Sequence, residues 1–135
     1  MFGLNLALLE FTFNDYIGIE ILFQKDGVCE AQIQLDSAKH LNSLGWVHGG
    51  ILLTTLDSVM GYAVGSLIEP EKDEWTATTQ ISYQFINAAK PDALLKGIGK
   101  VVKFGKKNAF IEGEIYDDEG TLIAKSHGIW AVKRK

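Results

Sequence analysis

Apolar and polar residues alternate over residues 17–24 (IGIEILFQ) and again over 27–35 (GVCEAQIQL), with Lys25, Asp26 and Gly27 between the two runs. Alternation with period two puts one face of a strand into a core and the other into water, and Asp-Gly signals a tight two-residue turn. The pair predicts a β-hairpin. After an irregular stretch, 37–47, the period changes. From Gly49 to Ile68, Leu52, Leu56, Val59, Met60, Ala63, Val64 and Leu67 are too dense for one stripe, and Asp57 is the only charge. Twenty such residues predict a helix about 30 Å long, apolar nearly all round and in need of a wrapping sheet or a partner subunit. Pro70 and the acidic EPEKDE follow as a loop. Four strand-like runs come next, at 75–87, 93–103, 108–116 and 121–132, punctuated by Pro91, by Gly105-Lys106-Lys107 and by Asp118-Glu119-Gly120. They are expected to meander through short turns. The order ββαββββ, with its helix segregated from antiparallel strands, is that of an α+β domain. At 135 residues, without repeats or low-complexity linkers, the chain is expected to form a single domain, 1–135.

With 47% hydrophobic and 22% charged residues the chain is apolar enough to fold. A net charge of −4 argues against general polyanion binding, so no nucleic-acid partner is expected. The lone cysteine, Cys29, permits neither an intrachain disulfide nor a cysteine metal cluster and suits a reducing cytoplasm. The opening MFGLNLALLEF lacks the basic leader and cleavage site of a secretory signal, so no targeting role is expected. Gly49 to Ile68 is long enough to span a bilayer, but Asp57 at its centre would cost about 2.5–3.5 kcal/mol, and the alternating strands need this helix as their cover. No membrane span is expected. His40, His48 and His127 show no i, i+4 ligand pairing, and no metal is expected either.

The chemistry concentrates around Asp57. A carboxylate on an apolar helix is costly unless something pairs or uses it. Ahead of it, Gly49 and Gly50 open the helix, where exposed amides and the positive end of the dipole suit a developing oxyanion. Attack on a carbonyl carbon needs such a donor together with a base or nucleophile on the other side of that carbon. Asp57 lies eight residues beyond Gly49, about 12 Å along the helix axis, so one helix cannot grip one carbonyl with both. A second copy running antiparallel would close that gap.

Three segments carry a family resemblance: Asn42-x-x-Gly45-x-x-His48-Gly49-Gly50 with Asp57 nine residues after the histidine, ISYQFINAAKPDALLKGIGKVVKFGKK, and DDEGTLIAKSHGIWAV. Across residues 17–132 the chain resembles the hotdog-fold acyl-CoA thioesterases, in particular the phenylacetate-pathway, PaaI-like type. The resemblance implies a long helix wrapped by a curved antiparallel sheet, in homodimers with shared active sites that associate as dimers of dimers. It also implies hydrolysis of an aryl- or medium-chain acyl-CoA, with coenzyme A as part of the substrate and no cofactor. Asp57 would be nucleophile or general base, and the Gly49 amide would polarise the carbonyl. Asn42 and His48 would shape the site, and Thr78, with Thr79 beside it, would orient water. Gly50, Trp46, Leu53 and Met60 are the candidates for the acyl pocket.

Structural roles compete with each of these. Asp57 could be a paired carboxylate, although Leu53, Thr54, Met60 and Gly61 offer it no cation. His48 could merely hold its loop and Asn42 cap a turn. Thr78 is expected to share a solvated strand face with Gln80 and Ser82. Cys29 is expected to be a core or interface hydrophobe rather than a nucleophile. Lys96, Lys100, Lys103, Lys106 and Lys107 could meet coenzyme A phosphates, Lys106 and Lys107 foremost, or could be a solvated strand edge. Lys133, Arg134 and Lys135 are expected to be a solvated tail. A hotdog hydratase or dehydratase and a non-catalytic acyl or aromatic binder are the alternative functions. The first is disfavoured because it pairs its acid with a histidine.

Overall fold

A computed structural model describes residues 11–134. The opening segment for which no targeting role is expected lies, up to residue 10, outside the described residues, as does Lys135. The first described element is a helix absent from the expectations, α1 (Phe13–Ile17), held by a capping box. The Thr12 hydroxyl accepts from the Asp15 amide, the Asp15 carboxylate accepts from the Thr12 amide, and Gly18 ends the helix at φ 92°. β1 (Ile19–Lys25) and β2 (Val28–Gln34) form the expected hairpin. Asp26 and Gly27 both take positive φ, 52° and 80°, as a two-residue turn of the primed type requires.

The central helix, α2 (Gly49–Gly65), is 17 residues long rather than twenty. It stops early because Ser66 closes it: the Ser66 hydroxyl donates to the Ala63 carbonyl and accepts from the Gly27 amide, tying the helix end to the hairpin turn. No helix among the described residues is long and apolar enough to cross a membrane. Past a 3-10 turn at Pro70–Lys72 come β3 (Trp75–Phe85), β4 (Leu94–Phe104), β5 (Asn108–Tyr116) and β6 (Leu122–Lys133). The six strands form one antiparallel sheet in the order β1-β2-β4-β5-β6-β3. Only β4 to β6 meander as expected; β3 pairs with β6 at the far edge. The reason is α2, which crosses the sheet and delivers the chain there before residues 86–93 bring it back beside β2.

Every strand contacts α2, β4 and β5 most heavily. Leu56, Val59, Met60, Ala63 and Val64 meet Ala31, Ile33, Leu95, Ile111 and Ile115 in a closed core. Gly97, Gly99 and Gly113 let the helix lie directly on the strands. A Cβ at Gly99 would overlap the Val59 carbonyl, and one at Gly113 would stand 2.9 Å from the Met60 sulfur. That contact corrects one expectation: Met60 is a fully buried core residue whose sulfur accepts from the Ser126 hydroxyl, with no exposed surface to offer an acyl group. Cys29 is buried as expected, and its thiol is pushed up to about 11, first by burial and then by Glu30.

Candidate functional site

Asp57 sits half-buried midway along α2, on the side facing β3. One carboxylate oxygen accepts a hydrogen bond of 2.8 Å from the Thr78 hydroxyl, and no cation pairs with it among the described residues. A β-bulge explains why Thr78 reaches it. The β3–β6 register slips between Thr78 and Gln80, so Thr78 stands opposite Trp130 on the helix side while Gln80 and Ser82 stand opposite Ile129 and His127 on the outer side. Thr78 therefore does not share the face of Gln80 and Ser82. Thr79, the extra residue, turns its hydroxyl to the Ile129 carbonyl.

Asp57 and Thr78 share an open groove of about 510 Å³ with Ser58, Gly61, Tyr62 and Trp130, within the size range of small-molecule sites. Asn14 of α1 closes one wall, accepting a 3.2 Å hydrogen bond from the Ser58 hydroxyl. Sequence reasoning missed both Asn14 and Trp130. Asn14 precedes the first strand, and Trp130 looks like one more core residue of β6.

A second groove lies at the start of α2. Trp46, Gly49, Leu52, Phe85 and Ile86 line it, and Leu53, expected there, gives way to its neighbour Leu52. His48 caps the helix: its Nδ1 accepts from the Gly50 amide at 2.8 Å, which puts the ring proton on Nε2. The Gly50 N–H is thereby spent, contrary to its expected role toward substrate, while the Gly49 N–H has no acceptor among the described residues. Neither glycine is small only for a ligand's sake. A Cβ on Gly49 would stand 2.9 Å from the Phe85 ring, and one on Gly50 2.9 Å from His48 Nδ1. The Asn42 carboxamide oxygen accepts from the Leu44 and Trp46 amides, so it braces the loop that presents Trp46. His40, buried beneath this loop, accepts at Nδ1 from the Asp36 amide, bonds the Ile17 carbonyl through Nε2, and offers its own carbonyl to the His48 amide. It anchors the segment and lines neither groove.

The five lysines separate. Lys96 and Lys100 stand on the outer face of β4, opposite Tyr116 and Glu112, so an acid faces Lys100 across the strands. Lys106 and Lys107 sit exposed at the β4–β5 turn. There Arg134 joins them, contrary to the expectation of a solvated tail. Its guanidinium bonds the Gly105 and Lys106 carbonyls, pairs with Glu74 at 3.4 Å and stacks over Phe104. No group of three His, Cys, Asp or Glu side chains among the described residues could hold a metal ion.

A carboxylate braced by a hydroxyl, one free amide at a helix start and two grooves bordering the same edge strand suit acyl transfer. The family model of the thioesterase superfamily matches residues 44–124, which include Gly49, Asp57, Thr78 and β3 to β5. The chain belongs to the thioesterase superfamily. Among relatives, a Caenorhabditis elegans protein named as an esterase is 31% identical over 99 residues, 73% of this chain. The match spans only 55% of that protein's length. A Saccharolobus solfataricus protein, also named as an esterase, is 29% identical over 90% of this chain and 77% of its own. Among solved structures, the PaaI protein of the phenylacetic acid degradation operon of E. coli superposes with a TM-score of 0.80 at 20% identity, covering 90% of this chain and 83% of that one. A hypothetical thioesterase protein of Streptococcus pneumoniae TIGR4, solved with coenzyme A, gives a TM-score of 0.78 at 27% identity over 87% of this chain and 88% of that one. The fold of this thioesterase superfamily member is the hotdog fold.

Proposed function

We propose that the protein is an acyl-CoA thioesterase acting on an aryl- or medium-chain acyl-CoA in a site shared by two copies of the chain. The observation that carries the reading is the Asp57–Thr78 pair, a carboxylate with one oxygen held by a hydroxyl on the wall of an open groove. The thioester carbonyl oxygen accepts from the Gly49 amide at the positive end of α2, which stabilises the charge that develops on attack. Asp57, approaching from the other copy, either attacks the carbonyl carbon itself or takes a proton from a water that does so. Thr78 fixes the carboxylate in either case. The C–S bond breaks and coenzyme A leaves as a thiol; where Asp57 itself has attacked, a water then hydrolyses the resulting mixed anhydride, and by either route the acyl group leaves as a carboxylic acid. No histidine lines the Asp57 groove, which weighs against the hydratase reading. Coenzyme A in the Streptococcus pneumoniae relative supports the leaving group, and in this reading the exposed Lys106 and Lys107 meet its phosphates.

The second copy follows from β3. This edge strand runs eleven residues, WTATTQISYQF, without a charge or a proline. Natural edges are usually guarded by one or the other, so this one is built to pair. Both grooves border it, the Asp57 groove at Thr76–Thr78 and the Gly49 groove at Phe85. Antiparallel pairing of two β3 strands about Ile81 and Ser82 sets the Asp57 groove of one copy beside the Gly49 groove of the other.

The test is release of free coenzyme A from a panel of acyl-CoA esters, followed with a thiol reagent, by wild type and Asp57→Asn. The substitution keeps the shape and removes the base, so turnover falls by about 10² or more. Near-normal hydrolysis by the folded variant would overturn the role of Asp57.

A further inference from the structure

Trp130 stands on β6 with only 2% of its surface exposed, yet its indole N–H has no acceptor among the described residues. No fully buried side-chain nitrogen there is left unpartnered, so this N–H opens onto the groove that Trp130 lines with Asp57 and Gly61. Gly61 is what uncovers it: a Cβ at that position would rest 3.5 Å from the indole nitrogen. A tryptophan N–H enclosed by protein ordinarily finds a partner, and among the described residues this one has none, so it is free for what fills the groove. The groove also presents the Asn14 carboxamide, whose oxygen is occupied by Ser58, and the Tyr62 hydroxyl.

We propose that Gly61 and Trp130 form a recognition subsite in which the indole N–H donates to an acceptor oxygen carried on the acyl group. The inference rests on the thioesterase reading only for placing the acyl group in the Asp57 groove. Gly61 lies one turn beyond Asp57, about 6 Å along the axis. The preferred acyl group therefore carries its oxygen at roughly that separation from the reacting carbonyl, as a ring substituent on an aryl acyl group does. A site built around an otherwise unpaired donor favours the ligand that pairs it over the analogue that does not.

The probes are phenylacetyl-CoA and its three ring-methoxy counterparts, whose ether oxygens accept but do not donate. Wild type should favour one methoxy ester over the parent by about five- to tenfold in kcat/KM, the scale of one neutral hydrogen bond. Trp130→Phe keeps an aromatic wall without the N–H. Gly61→Ala keeps the tryptophan and lays a methyl over the N–H, at a helical position where alanine is favoured. In both, the ratio between the two esters should fall toward one, whatever each variant costs both esters alike. A second measurement needs no turnover and no variant that folds: the Trp130 indole proton resonance of wild type, titrated with the free methoxyphenylacetic acids and with phenylacetic acid. The favoured methoxy acid should move it downfield and the parent acid should not. Loss of hydrolysis throughout, with that shift intact, would remove the thioesterase reading and keep the subsite. Hydrolysis with equal ratios in wild type and both variants, or an indole resonance that answers both acids alike, would overturn the subsite.

Discussion

Gly49 can be tested more finely than by blocking it. Gly49→Ala retains the N–H and adds a carbon that displaces the edge of the Phe85 ring, 2.9 Å away. Gly49→Pro adds the same carbon and removes the N–H. Proline suits this position, because the first helical residue has no carbonyl to bond within the helix. His48, at φ −66° and ψ 129°, already holds the conformation that a following proline demands. If the amide polarises the carbonyl, Gly49→Pro should hydrolyse about 10² to 10³ times more slowly than Gly49→Ala. Equal rates for the two folded variants would take the amide out of the reaction. The same comparison shows what could be read from the residues alone. That Gly49 opens a helix was legible in His-Gly-Gly before an apolar run; that His48 would consume the Gly50 amide and leave Gly49 free was not, since it depends on a ring rotamer.

Among elements, what is encoded locally was legible and what depends on register was not. Asp26-Gly27 places its hairpin turn unaided, because the positive φ values are a property of those two residues. The α1 capping box was legible too, in Thr12-x-x-Asp15, but five residues carry no apolar period to announce a helix. The bulge that turns Thr78 toward Asp57 exists only against β6, and a strict period of two therefore put Thr78 on the wrong face. The departure of β3 to the far edge of the sheet is likewise decided by where α2 ends. The contact between α2 and β4 sets how closely Asp57 approaches β3, and Gly99 sets that contact. Gly99→Ala drives a methyl into the Val59 carbonyl, rigid helix backbone rather than a yielding side chain. Overpacking of this kind costs about 1–3 kcal/mol, so the unfolding midpoint in urea should fall clearly while Gly65→Ala, whose added carbon would meet nothing nearer than the Gln24 side chain at 3.6 Å, moves it less. An unchanged midpoint for Gly99→Ala would mean that helix and sheet separate more easily than the packing indicates.

At the scale of the molecule, the two long surfaces of the sheet are built differently. Its outer face is a ladder of alternating charge, with Lys100 opposite Glu112, Glu112 opposite His127 and Glu114 opposite Lys125, which keeps that face in water. The β3 edge has no charge at all, and its helix side carries the half-exposed Tyr83 and Phe85. If Asp57 is the base and the Gly49 amide the oxyanion donor, two grooves that border opposite ends of one uncharged edge strand should work only in pairs. Asp57→Asn lacks the base and Gly49→Pro lacks the donor, so each homodimer alone should be inactive. Unfolded together and refolded, half of the dimers should be hybrids in which one site carries both lesions and the other neither, returning about a quarter of wild-type activity if sites act independently. Neither lesion lies on β3, so the pairing surface is intact in both variants. A mixture that stays inactive while mass measurement shows the hybrids present would place the whole site within one chain and leave the β3 edge to some other contact.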